Sequence, residues 1–513
     1  MTFRNLINRQ TEPGPERLGH RGRQRRVRSL LAAGVMLSAC ACTAAVTEPG
    51  TNIVSNDVTY DEATYSAIEA VTLSASAKAA GPSACELNEG VTAIPGTYST
   101  NVTLTASVAL PGEKAVDVVM TQLGGNQQNR AVAIAAVNSA EGGLLHWVNP
   151  ETGEIDNTVT LPGAISDIAA DGEGVVAIAT ENKILRLSAT SGEVISEIQL
   201  TGVSRVAISP VGDIAAIADK TVYLYDANNT ETFSKLRDYT GVTDVEVSNC
   251  QGQQLVYVTT FRNATFTDIQ GRTNPVQIAR LEAMDFSGAV QWFLFDDHTD
   301  TIQQNVADTR LYRVTLGRDG YLYIGGESAG TATIFRWRGQ PLTEEEQFGK
   351  TRPFVSRIDE NSQLHNSGAA HLPYYARVHP SEGQLINAQM SFPRRSDRKA
   401  NAMRIGDIAA GTRGSLYFGG AASASIPNRE SLTLNGVSVG EYAGRDRAWM
   451  SIAPDFRTRN FWTVLADEGG KGIVQGVDAG YGYSAALSNV ESGSVPVTTG
   501  EQAGTVFLSF TAE

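Results

Sequence analysis

The sequence predicts an all-β protein, a seven-bladed β-propeller closed by an N-terminal strand and preceded by a signal peptide and a flexible tether. The first observation is a recurring phrase: an apolar residue, two others, a second apolar residue, one other, a third apolar or small residue, then a turn containing Gly. It begins at Ala115, Ile165, Val203, Val242, Leu311, Ile405 and Val474. Repeated strand-turn-strand units of this kind cannot bury their own faces and stack into propellers. The second is spacing: the regular phrases start 38 and 39 residues apart, at 165, 203 and 242, the length of one blade. The third is composition. With 50 Gly among 513 residues, 42% hydrophobic and only 19% charged, the chain is rich in turns and short apolar runs.

Residues 1–39 read as an export signal. Arg21, Arg23, Arg25, Arg26 and Arg28 precede an apolar run from Ser29 to Ala39 that is too short to span a bilayer. The run ends Leu37-Ser38-Ala39-Cys40, which resembles the bacterial lipobox. That resemblance implies cleavage before Cys40, a diacylglyceryl thioether on its sulfur, and a membrane-anchored mature protein. Ala41 replaces the Asp that retains many lipoproteins at an inner membrane, so the expected address is the outer membrane or cell surface. Residues 40–97 are rich in Ala, Ser, Thr, Gly, Asp and Glu and read as a tether, with one short helix possible over Asp61 to Ala79.

The propeller is expected over 98–513. A second strand follows each opening phrase: Ala131 to Val137, Val175 to Thr180, Ile214 to Asp219, Leu255 to Thr260, Tyr321 to Gly325, Ser415 to Gly419 and Tyr483 to Leu487. Third and fourth strands form a hairpin whose turns include Asn149 to Gly153, Ser188 to Gly192, Asp285 to Gly288 and His379 to Gly383. The last unit supplies only three strands, ending with Thr505 to Phe510. Asn101 to Leu110, followed by Pro111-Gly112, resembles the other fourth strands and is expected to complete it, removing two exposed sheet edges. Seven opening phrases give seven blades, with six or eight as the alternatives.

Later phrase spacings of 69, 94 and 69 residues mark insertions in blades four to six, roughly 261–275, 327–372 and 420–446. In a chain that alternates direction, the second-to-third connections share a face with the connections between blades, so all three insertions decorate one face. Turns between first and second strands, including Cys250, lie on the opposite face. The N-terminal closing strand enters there, which places Cys85 near Cys250 and predicts a disulfide in an exported chain. Cys42 is left as a free thiol in the tether.

The insertion face carries the candidate ligand-binding residues His365, His371 and Tyr374 in blade five, with Arg394, Arg395 and Arg398 beyond it. The arginines form the densest basic run of the mature chain and, near Arg429 and Arg445, suit a carboxylate, phosphate or anionic sugar. The other reading pairs them with Asp296, Asp297 and Asp300. His365 and His371 lack an acidic or thiol partner between them at metal-site spacing, so no metal ligands and no catalytic residues are assigned. Asp296 to Asp300 has oxygen donors suited to Ca²⁺ but not the spaced acids and Gly of a calcium loop. The five Trp fall mostly in strands and read as packing residues. Asp167, Asp244, Asp407 and Asp478 either ring the central channel or satisfy backbone groups.

Excluding residues 1–39, the chain has 33 basic and 53 acidic residues, a net of −20, which argues against nucleic acid as a partner. No nucleophile elbow, Walker loop or zinc-protease helix occurs. The repeat arithmetic, Gly325-Gly326, Gly419-Gly420 and Ser425-Ile426-Pro427 resemble bacterial secreted propellers of the SBBP and YVTN/quinoprotein-like groups. The resemblance covers about 98–513 and is architectural; the cofactor-contacting and Trp-docking residues of eight-bladed quinoprotein dehydrogenases are not found. It implies a binding or scaffolding exoprotein. The expected function is a lipid-anchored envelope propeller that binds an envelope protein or glycan through its insertion face. The alternative is an enzyme, lactonase-like or a dehydrogenase, with a metal or cofactor in the channel.

Overall fold

The computed structural model describes residues 99–123, 130–250, 253–267, 271–295, 307–330, 333–336, 357–358, 370–397, 399–442, 444–456, 458–465, 467–494 and 504–511. The chain divides into two compact units, Met1–Ser74 and Ala75–Glu513, and all described residues belong to the second. The signal peptide and the whole tether, with Cys40, Cys42 and Cys85, lie outside the described residues.

The second unit is a β-propeller. Four four-stranded antiparallel sheets form the first four blades, a five-stranded sheet forms the fifth, and one eight-stranded sheet carries the sixth and seventh. Their inner strands are Lys114–Leu123, Ile165–Ala170, Val203–Ile208, Gly241–Cys250, Thr309–Leu316, Met403–Ala410 and Asp467–Gly480. Each touches the inner strand of the next sheet, and the seventh touches the first. Ala106–Leu110 pairs antiparallel with Thr505–Thr511, with Ala106 opposite Ser509 and Leu110 opposite Thr505.

The physical meaning of the recurring phrase lies in the pairing register. All seven inner strands shift register between the first and third residues of the phrase: Ala115/Asp117, Ile165/Asp167, Val203/Arg205, Val242/Asp244, Leu311/Arg313, Ile405/Asp407 and Val474/Gly476. A β-bulge inserts one extra residue and re-aims the strand. Ordinary strand alternation repeats every two residues; one extra residue stretches the first apolar interval to three. The buried pair Ile165 and Ile168 shows the result. At the bulge the chains of neighbouring blades come close. Ser166 Oγ donates to Val203 O (2.7 Å) and Thr243 Oγ1 to Leu311 O (2.8 Å). Gly406 occupies the same place in blade six, where a Cβ would stand 1.9 Å from Val474 O.

The cores are layers between facing sheets. Val132, Ile134, Leu145 and Trp147 of blade one pack with Ile165, Ile168, Ile178 and Leu185 of blade two. Trp147 Nε1 donates to Ala189 O across the layer (2.6 Å). Trp449 and Trp462 are likewise fully buried, the packing role expected for them.

The insertions are partly regular structure. In blade four, Gln253–Thr267 and Thr273–Asp285 pair continuously to Thr267 opposite Thr273. The inner strand stops pairing at Phe261, so residues 262–267 project about 20 Å beyond it at ~3.3 Å per residue. The blade-six insertion contains a short 3₁₀ turn, Arg429–Ser431, and a hairpin of Thr433–Leu434 with Val437–Ser438. Thr433–Leu434 pairs in parallel with Asn101–Val102. Arg429 is the buried anchor of this insertion. It pairs with Asp446 and donates to the carbonyls of Gly440 (3.0 Å) and Glu441 (2.9 Å).

Candidate functional site

The bulges turn the third residue of each phrase toward the axis. In blade order these residues are Asp117, Asp167, Arg205, Asp244, Arg313, Asp407 and Gly476. Two residues further along each strand, Glu246 and Asp478 add a second charged tier. The side chains line a cavity of about 200 Å³ to which all seven blades contribute.

Of the seven carboxylates lining the cavity, Asp171 accepts the Glu173, Gly174 and Val175 amides of its own turn and five others tie one blade to the next. Asp167 Oδ2 accepts the Val206 amide (2.8 Å), Asp244 Oδ2 that of Val314 (2.9 Å) and Asp407 Oδ2 that of Val477 (3.0 Å). Glu246 Oε2 accepts the Leu316 amide (3.0 Å) and Asp478 Oδ2 that of Met120 (2.6 Å). Asp117 differs. It accepts the amide of the next residue, Val118 (2.7 Å), and its carboxylate leans over Gly476, where a Cβ would meet Oδ1 at 2.3 Å.

Two guanidinium groups stand within the ring. Arg205 lies 3.8 Å from Asp167 and 3.5 Å from Asp244, and Arg313 lies 3.2 Å from Asp407. The Arg205 Nε has no hydrogen-bond partner. A third arginine, Arg318, crosses the channel at the end formed by the first-to-second-strand turns. From blade five it donates to Ala479 O of blade seven and Met120 O of blade one, both at 2.8 Å. Its guanidinium lies 4.5 Å from the centroid of the Tyr481 ring, and the Tyr481 hydroxyl donates to Gly172 O of blade two (3.2 Å).

Burial sets the electrostatics. It raises the carboxyls of Asp167 and Glu246 to about 7, because charging a desolvated acid is unfavourable. Around Asp167, Asp244 adds to the rise and Arg205 opposes it. Asp117 is raised well above the usual range by burial, then by Asp407 and Asp167, with Arg313 opposing. Asp244, Asp407 and Asp478 are raised for the same leading reason. The two readings of the channel aspartates thus merge, since they ring the channel and also satisfy backbone amides. Sequence reasoning missed Asp117, Arg205, Arg313, Glu246 and Arg318. The first three were visible by aligning the phrases on their third position.

Four of the six predicted ligand-binding residues, His371, Tyr374, Arg394 and Arg395, lie among the described residues. His371 is half-buried, and its Nδ1 lies 2.9 Å from Glu327, which also accepts from the Tyr312 hydroxyl (2.6 Å) and Arg310 (3.0 Å). Tyr374 is fully buried and its ring stacks on Phe335 at 4.0 Å. Arg394 bridges in the backbone to Ala400 and Ser425 and lies over the Phe392 ring. Arg395 and Lys399 flank Asp397 at 3.6 and 3.5 Å, so one carboxylate offsets part of the charge of the run. Arg429 is buried against Asp446 and Arg445 pairs with Glu491 (2.7 Å), so neither is free to extend a surface anion clamp. His365, Arg398 and the Asp296 to Asp300 segment lie outside the described residues. Cys250 is disulfide-bonded.

No family model matches the chain, and no curated protein matches it by sequence. Among solved structures, BamB from Moraxella catarrhalis is 13% identical with a TM-score of 0.37, over 79% of this chain and 96% of that one. The Pan2 WD40 domain of Neurospora crassa is 8% identical with a TM-score of 0.43, over 80% and 95%. The Dos1 propeller is 7% identical with a TM-score of 0.40, over 79% and 94%. The propeller assignment rests on the strand pairing described above.

Proposed function

We propose that this chain is an exported, lipid-anchored propeller of the cell envelope that binds an envelope protein or glycan through its insertion-bearing face. The ring is held shut by the pairing of Ala106–Leu110 with Thr505–Thr511, and Cys40 carries the lipid. A Cys85–Cys250 disulfide ties the tether to the propeller. The observation that supports a binding role is the construction of the insertions. A hairpin six residues longer than its inner strand and an insertion anchored by the Arg429–Asp446 pair present preformed shape on one face of a rigid scaffold. Loops of this kind are where scaffolds carry recognition.

The rival reading, an enzyme working in the channel, draws on the same inward-facing charges. Five of the seven channel carboxylates already accept a neighbouring blade's amide, and this favours the binding role. Shortening the blade-four hairpin by replacing residues 266–274 with Asn-Gly, between the paired Thr265 and Pro275, tests the reading. Cross-linked capture from envelopes should lose its specific partner while the melting temperature is kept. Unchanged capture would rule out this hairpin as the recognition element. Separately, Cys40→Ala should move the protein from the membrane to the soluble fraction.

A further inference from the structure

The outer strand of a propeller blade ends its sheet and leaves a row of backbone amides and carbonyls without a strand partner, a template for further pairing. This chain covers that row in two blades with segments of its own. In blade five, Arg357–Ile358 pairs in parallel with the outer strand Leu385–Met390, Arg357 opposite Gln389 and Ile358 opposite Met390. In blade six, Ser99 bridges in parallel to Phe461 of the outer strand Arg459–Val464, and its amide donates to Asn460 O (3.0 Å). Both covered strands are buried, Ala388 and Met390 in one, Trp462 and Val464 in the other. Among the described residues no fifth strand covers the outer strands of blades one to four, Ile155–Leu161, Val194–Gln199, Glu231–Leu236 and Val290–Leu294.

The bare edges differ in what they expose. Blade one presents Asp156, Thr158 and Thr160, and blade three presents Glu231, Thr232 and Ser234 before Leu236. Blade two presents two adjacent large apolar side chains, Val194 at 54% and Ile195 at 57% exposure. Ile195 is the extra residue of a bulge, between Val194 opposite Leu187 and Ser196 opposite Arg186, and Ser196 to Gln199 pair without a further shift. Arg186 reaches the next blade, donating to Gly212 O and to Asn229 Oδ1 (2.7 Å). This places Val211, the neighbour of Gly212 and 56% exposed, on the same border. The border is acidic. Glu193 precedes Val194, Glu173 lies in the first-to-second turn of blade two, and Glu231 opens the outer strand of blade three. All three are exposed, and none has an ion-pair partner among the described residues.

We propose that the outer edge of blade two takes an extended segment of a partner protein as a fifth strand. The segment carries apolar side chains in alternation, bordered by Lys or Arg. In strand addition the backbone pairing supplies affinity and the alternate side chains supply selectivity. Val194, Ile195 and Val211 provide the apolar contact. Glu173, Glu193 and Glu231 favour a cationic border and oppose an anionic one. Blades five and six show that the blades of this ring accept an added strand at this place. The proposal uses none of the insertion residues, so it stands or falls apart from the insertion-face reading.

Fluorescence anisotropy of labelled, end-blocked peptides titrated with the full chain tests it. The probe is Lys-Thr-Val-Ile-Val-Thr-Lys. One control replaces both Lys by Glu, and a second replaces the central Ile by Pro, which cannot donate to a strand ladder. Saturable binding of the probe, weakened at least about tenfold in either control, is the expected result. Ile195→Ser should weaken it about tenfold, the scale of one large apolar side chain lost from a contact. Leu236→Ser, on the bare edge of blade three, should leave it unchanged. Amide hydrogen exchange reads the same event in the wild type: the bound probe should slow exchange within residues 194–199 and not within 155–161. No saturable binding, equal affinity for the probe and either control, unchanged affinity in Ile195→Ser, or protection confined to another blade would each overturn the proposal.

Discussion

Asp167→Asn isolates the energetic cost of the charged channel. Asp167 is 8% exposed, and burial raises its carboxyl from 3.8 to about 7, with Asp244 adding and Arg205 subtracting. An acid raised on folding binds its proton more tightly in the native state. Its contribution therefore favours the fold at low pH and is lost as pH climbs from about 4 through 7, after which it is flat. At ~1.4 kcal/mol per pH unit, the two units between pH 5 and 7 amount to about 3 kcal/mol. Asn keeps a side-chain oxygen for the Val206 amide and never ionises. The wild type should thus lose about 3 kcal/mol more stability than Asp167→Asn between pH 5 and pH 8. Urea denaturation at the two pH values, followed by tryptophan fluorescence under oxidising conditions, reads this difference directly. If both proteins show the same pH dependence, Asp167 is ionised throughout, and the account of the channel as a desolvated ring of raised carboxyls is wrong.

Other substitutions probe the ring and the insertion. Gly406→Ala brings a Cβ to 1.9 Å from Val474 O, a backbone clash that should cost at least about 2 kcal/mol and lower the melting temperature, whereas a neutral result would show that the blade interface yields at the bulge. Ser166→Ala removes the hydroxyl that donates to Val203 O and should cost about 1 kcal/mol in chemical denaturation. Arg429→Ala leaves the fully buried Asp446 without its guanidinium and should destabilise by roughly 3–5 kcal/mol, with limited proteolysis appearing first within residues 423–446; cleavage elsewhere would mean that the pair does not anchor the insertion.

Much of the architecture was legible because the bulge is written into the apolar spacing. Positions one and four of the phrase are buried in Ile165 and Ile168, a three-residue interval that an unbulged strand would place on opposite faces. The candidate site was less legible. Tyr374 looked like a loop residue, yet its strand places it between Phe295 and Phe335. Arg429 looked like part of a basic surface, and only the fold of its insertion shows that Asp446 neutralises it.

By itself the sequence determined the repeating unit, its bulged inner strand and the blades that carry insertions, because these follow from local alternation, turn residues and spacing along the chain. The tertiary structure alone decided which charges meet. Asp478 caps the amide of Met120 and Arg318 reaches Ala479, contacts made when the ring brings distant blades together. A phrase that reads Asp in one blade, Arg in another and Gly in a third acquires its electrostatic meaning only around the common axis. There, burial removes the solvent that would otherwise screen each residue separately.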